Sequence, residues 1–118
     1  MPKRKFTFTE TPYTKLLTLP LDCTSSDERI KQNIEPLDAT STFALIASLQ
    51  PVSFTYKDPT LATGTQLGFI AQQVQQIFPN LVATSSYTTP WTPDGTLTLN
   101  YSGLIAPLVS AVQDIANI

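Results

Sequence analysis

Residues 26–34 read Ser26-Asp27-Glu28-Arg29-Ile30-Lys31-Gln32-Asn33-Ile34, a run that places a hydroxyl and an amine five positions apart. With Asp27 as the N-cap of a helix, its carboxylate would accept from the free backbone N–H groups of the first turn. Ser26 and Lys31 would then hold the two positions that meet in a hydrophobic staple. The helix N-terminus would disfavour the ammonium form of Lys31 and offer N–H donors to a developing oxyanion. The run therefore predicts, in outline, a serine–lysine dyad.

The same run also has a purely structural interpretation. A Ser-Asp pair that opens a charged helical turn is a common capping device, and Lys31 would then be a solvated surface side chain. Short motifs give many false positives, so these nine residues alone favour the capping interpretation. The rest of the chain has to decide between the two.

The composition excludes several classes of site. The 118 residues contain no His and one cysteine, Cys23, which excludes histidine triads, an intramolecular disulfide and thiolate metal clusters. With 7 basic and 9 acidic residues, the chain has no overall field that attracts nucleic acid or an anionic membrane. It has no apolar run long enough to span a bilayer and no signal-peptide pattern. We therefore expect one domain without a metal, cofactor, nucleic-acid or membrane partner.

Charge is distributed unevenly along the chain. Only Asp94 and Asp114 follow Asp58, and the second half draws its polarity from Thr, Ser, Gln and Asn. The cores of protein interfaces are depleted in charged residues, so this pattern hints at a homo-oligomer.

The patterns predict an α+β fold, in which short helices surround one small mixed or antiparallel sheet. Residues 5–25 read as extended or edge-strand segments because Thr recurs and Pro interrupts them. Helices are expected at 26–36, from residue 40 or 41 (Thr40 or Ser41 as cap) to 49, at 70–78, and from about 102 to the end, the last delayed or kinked by Pro107. Strands are expected at 52–56, 67–69, 81–83 and 96–99, with loops at 57–66 and 85–95.

The last helix carries apolar residues at a 4-3-4-3 spacing, which is typical of a heptad seam. They are Tyr101, Ile105, Leu108, Val112 and Ile115. The alternative is an amphipathic helix that packs on its own domain, with Leu104 and Val109 equally able to supply the core-facing stripe. A helix that is apolar on both flanks fits packing on its own domain and on neighbours at once.

Five blocks in this order resemble the intramolecular chaperone domain of phage tail fibres and tailspikes, the endosialidase chaperone or S74 peptidase group. They are the run at 26–34, PVSFTY at 51–56, LGFIAQQV at 67–74, FPNLV at 78–82 and NYSGLIAPL at 100–108. Each block alone is weakly specific, and the five in order are strong. The blocks run from residue 26 to residue 108, and the resemblance extends over residues 26–118.

The resemblance implies a module at the C-terminus of a homotrimeric, β-rich fibre or spike. Such a module trimerises, assists folding of the preceding shaft during virion assembly in the host cytoplasm, and then releases itself by self-cleavage; if retained, it stays on the virion fibre. Carried over, the scissile bond is Ser25–Ser26, with Ser26 as nucleophile, Lys31 as general base and Asp27 as the capping and orienting residue. Residues 1–25 would be a shaft remnant or passenger, residues 26–118 the chaperone, and the C-terminal helices would form a trimeric bundle or coiled coil.

Several alternatives stay open beside this interpretation. The chain could be a non-cleaving trimerisation or capping module, and only cleavage chemistry separates the two. A membrane-tethered transcription factor that uses the same domain fits poorly, since these residues hold neither a membrane span nor a DNA-binding region. An ordinary enzyme would need another acid, base or metal constellation. The 25 residues before Ser26 are too few for a shaft, which indicates an excerpt or a tiny passenger, and the loop with Tyr87 and Trp91 is either a gripping tentacle or an exposed loop.

Overall fold

The computed structural model of the chain describes residues 24–117. The extended segments expected at 5–25 therefore lie almost wholly outside the described residues. The contacts between residues divide the chain into two compact units, with the boundary between Glu35 and Pro36.

Residues 24–35 contain one turn of 3-10 helix, Glu28–Ile30, so the helix predicted at 26–36 is wrong. Its apolar pair Ile30 and Ile34 is 67% and 60% exposed. Most helical stability in proteins comes from packing an apolar face, and this pair has no such packing. The backbone is extended at residue 31, and Asn33 then takes a left-handed conformation with φ of 55°. Helical hydrogen bonding therefore stops after one turn.

The part from Pro36 onward is an α+β arrangement, which confirms the predicted class. Its helices are α1 (Ala39–Ala47), α2 (Ala71–Gln75) and α3 (Ile105–Ala116), its strands are β1 (Val52–Phe54), β2 (Gln66–Gly68), β3 (Val82–Ser85) and β4 (Thr96–Leu99), and 3-10 turns occur at Pro79–Leu81 and Tyr101–Leu104. The strands form two separate antiparallel pairs, β1–β2 and β3–β4, instead of the single sheet expected. The pairs register Val52 with Gly68 and Val82 with Leu99.

Helices α1 and α3 pack against each other through small side chains. Thr42 of α1 and Ser110 and Ala111 of α3 are all buried, and small residues let two helices approach closely. Leu104 is also buried at 8% exposure, whereas Val109 remains 51% exposed. Of the two residues named as able to supply a core-facing stripe, Leu104 is therefore buried and Val109 is not.

A side-chain cap opens α1, and a proline lies in the first turn of α3. Asp38, not Thr40 or Ser41, is the N-cap of α1, and its carboxylate accepts from the Ser41 N–H at 3.0 Å. At the other end of the chain, α3 begins at Ile105, and Pro107 is its third residue. A first-turn N–H has no helical acceptor, so the missing donor of proline costs nothing there. The expected delay of the last helix is confirmed.

Candidate active site

The structure brings the two predicted dyad residues together. Lys31 Nζ donates to Ser26 Oγ across 2.6 Å. The 3-10 turn between them produces this proximity, because the N–H of Ile30 bonds to the Asp27 carbonyl at 3.2 Å and the N–H of Lys31 bonds to the Glu28 carbonyl at 3.1 Å. One tight turn therefore returns the lysine side chain to the serine that precedes it.

Asp27 is the N-cap of this turn, at the position that the sequence indicates. Its carboxylate accepts from the Arg29 backbone N–H at 2.9 Å and from Arg29 Nε and Nη2 at 3.1 and 2.8 Å. The Arg29 side chain foremost, and then its N–H, hold the pKa of the Asp27 carboxyl below its usual value, while Asp27 raises the pKa of Arg29. Sequence reasoning missed this ion pair, although the Asp-x-Arg spacing across a capped turn could have indicated it.

The electrostatic contribution expected from a helix N-terminus is wrong. The element has three residues, and Lys31 is its C-cap, not a residue of its first turn. A macrodipole needs aligned peptide units over several turns, so it does not act on this lysine. Ser25, Ser26 and Lys31 are all exposed. The structure therefore supports the dyad through the hydrogen bond between Lys31 and Ser26, and not through a helix N-terminus.

The predicted seam lies on the open face of α3. Ile105, Leu108, Val112 and Ile115 are 61%, 52%, 55% and 52% exposed. Tyr101 is placed differently, because it belongs to the 3-10 turn before α3, and its phenol oxygen accepts from the Phe69 N–H at 3.1 Å. The α-helical part of the seam thus begins at Ile105.

The loop between β3 and β4 carries exposed aromatic side chains. Tyr87 is 51% and Trp91 54% exposed, and Lys57 Nζ lies 5.6 Å from the centre of the Trp91 ring. Its hydroxyls hold the loop internally, with Thr89 Oγ1 2.6 Å from Thr92 Oγ1. A gripping role for this loop stays a prediction.

Within residues 24–117, no helix has the length and apolar character needed to cross a membrane. No three His, Cys, Asp or Glu side chains in the same range come together as a metal site.

A scan against protein-family models finds a match that includes the candidate dyad. Residues 26–83 match the Peptidase S74 family, described as the chaperone of endosialidase. The matched range begins at Ser26 and includes Lys31, the α1 helix and the β1–β2 pair. This match confirms the resemblance of the chain to the endosialidase chaperone family. It supports a chaperone-type role in the folding of a fibre, and the family is named for a peptidase.

Proposed function

We propose that this chain is the C-terminal intramolecular chaperone of a trimeric, β-rich viral fibre or spike, and that it releases itself by cutting the Ser25–Ser26 bond. The observation that carries the proposal is the 2.6 Å contact between Lys31 Nζ and Ser26 Oγ. A hydrogen bond between a lysine amine and a serine hydroxyl is the arrangement that a serine–lysine dyad requires. The partners in this proposal are two further copies of the chain and its own N-terminal segment.

The chemistry follows from the position of Ser26 next to the bond. Once Lys31 has lost its proton to solvent, its lone pair accepts the Ser26 hydroxyl proton, and Oγ attacks the carbonyl carbon of Ser25. The carbon–nitrogen bond breaks, the Ser26 amine takes up the proton, and an ester joins Ser25 to Oγ. Water then hydrolyses this ester and leaves a new N-terminus at Ser26. Because both reacting groups belong to neighbouring residues, their effective concentration is high.

Assembly supplies what the single chain lacks. The dyad is exposed, and water around an amine favours its charged form, which cannot act as a base. Covering the dyad in a trimer would remove that water and couple cleavage to assembly. Under this hypothesis the cleavage rate rises with protein concentration. Equal rates for monomers and trimers would contradict the coupling.

The open face of α3 supports association between copies. Its four apolar side chains follow a 3-4-3 spacing, and each is more than half exposed. Asp114 is the sole charged residue of the helix. An apolar, nearly uncharged helical stripe is typical of a coiled-coil interface. A cap of three such helices aligns three shaft chains in register, and this shortens the slow nucleation of intertwined β-structure.

Intact-mass spectrometry of the freshly purified 118-residue chain tests the cleavage. We expect a product that begins at Ser26 in the wild type, and its absence in Ser26→Ala and in Lys31→Ala. Ser53→Ala and Lys57→Ala are matched controls, because they remove the same side-chain types at exposed positions of another part of the chain. One full-length mass in every sample would remove the protease and leave a non-cleaving capping module.

A further inference from the structure

Two neighbouring cations of the segment have different partners. Arg29 holds the Asp27 carboxylate with two prongs, Nε at 3.1 Å and Nη2 at 2.8 Å, in the planar geometry that suits guanidinium and carboxylate. Lys31 contacts the Ser26 hydroxyl and makes no ion pair within the part of the chain that the structure describes. The segment thus separates the carboxylate from the lysine by giving each its own partner.

This separation bears on the proposed base. Asp27 follows Ser26 directly in the sequence, so a flexible lysine side chain that reaches the serine hydroxyl can also turn toward the adjacent carboxylate. A carboxylate beside an amine favours the ammonium form. An ammonium has no lone pair and cannot accept the Ser26 proton. A free Asp27 carboxylate would therefore hold Lys31 in its inactive form.

We propose that Arg29 is a positioning residue for the dyad: it occupies the Asp27 carboxylate and thereby leaves Lys31 to the Ser26 hydroxyl. This inference rests on the proposed self-cleavage. Asp27 keeps its capping role without the arginine side chain, because it also accepts from the residue-29 backbone N–H at 2.9 Å. The other charged side chains of this segment are Glu28 and Glu35, and both are exposed.

The test compares Arg29→Ala with the double variant Arg29→Ala/Asp27→Asn and with Arg29→Lys. The Arg29 side chain is 88% exposed, so its loss leaves no cavity, and Asn caps a helix about as well as Asp. The cleavage rate is measured against pH for each protein. In the same variants, the carbon-13 shift of Lys31 Cε is titrated by NMR.

In Arg29→Ala we expect the pH midpoint of the cleavage rate and the pH midpoint of the Lys31 Cε shift both to rise by about half to one pH unit. This is the effect of one carboxylate about 4 Å away in water. At neutral pH this corresponds to cleavage that is roughly 3- to 10-fold slower. The double variant returns to the wild-type midpoints because it has no carboxylate to free. Arg29→Lys falls between the wild type and Arg29→Ala, since lysine keeps the charge but loses the two-pronged geometry.

Unchanged pH midpoints in Arg29→Ala would overturn the inference. A double variant that keeps the shifted midpoints would also overturn it, because removing the carboxylate does not rescue a merely structural role of Arg29. The two readouts also separate this inference from the proposed function. A wild type that yields no Ser26 product overturns self-cleavage, and the Lys31 titration by itself then decides whether Arg29 shields the amine.

Discussion

The exposed seam of α3 gives the sharpest quantitative prediction for Val112→Asp. Burying a whole valine side chain stabilises by roughly 1.5–3 kcal/mol. Val112 is already about half covered in the single chain, at 55% exposure, so about 1 kcal/mol per chain remains to be gained in a trimer. Three chains lose about 3 kcal/mol, and three carboxylates about 4 Å apart repel by about 1 kcal/mol per pair. The total of about 6 kcal/mol weakens trimer association by about four orders of magnitude.

Sedimentation equilibrium over a range of protein concentrations measures this effect. Gln113→Asp is the matched control, because it places the same carboxylate one residue further along the same helix, at an exposed position outside the seam. We expect Gln113→Asp to assemble like the wild type and Val112→Asp to sediment as a monomer. Equal assembly of the two variants would refute the argument that this face joins the copies.

Three further predictions concern stability. Val74→Ala removes a side chain that is 1% exposed and should lower the unfolding free energy by about 1.5–2.5 kcal/mol in urea melts, whereas Leu67→Ala, at 84% exposure, should change it little. The backbone N–H of Ser41 lowers the folded-state pKa of Asp38, so the contribution of Asp38 to the unfolding free energy is present above about pH 4 and is lost as the pH falls further. The urea midpoint of Asp38→Asn should therefore depend less on pH in this acid range than the urea midpoint of the wild type. Gly95→Ala should lower the melting temperature more than Gly64→Ala, since both have positive φ but only at Gly95 would a Cβ meet a backbone oxygen, 2.6 Å away; equal losses would contradict this contact argument.

The sequence predicts those elements best whose pattern also matches their packing. The strand at 96–99 is predicted to the residue, because its alternation sits in a hairpin whose turn residues bound it. The helix at 26–36 is wrong: Ile30 and Ile34, its apolar positions, stay exposed in the described part of the chain, and periodicity carries no information about such packing. The split of the strands into two pairs is a long-range outcome, which local patterns do not encode.

The candidate site shows the same division. The five-residue spacing of Ser26 and Lys31 indicates that they can meet, and the structure brings them to 2.6 Å, although through a 3-10 turn instead of an α-helix. Their catalytic roles stay a prediction. The Arg29 ion pair escaped sequence reasoning because a charged side chain in a first turn is ordinarily solvated. Arg29 contacts the Asp27 carboxylate and Lys31 contacts the Ser26 hydroxyl. This pairing depends on side-chain geometry, which the sequence pattern does not describe.

The small interior of the module has a consequence for when it can work. Val74, Leu104 and Ala111 are the buried apolar residues among those described. An interior of this size leaves a single copy little free energy against the entropy of the unfolded chain. Under the proposed trimerisation, folding and association become one equilibrium that follows mass action, so that a dilute chain would stay unfolded and crowded copies would fold together. The local concentration of newly synthesised chains would in this way determine when the module folds.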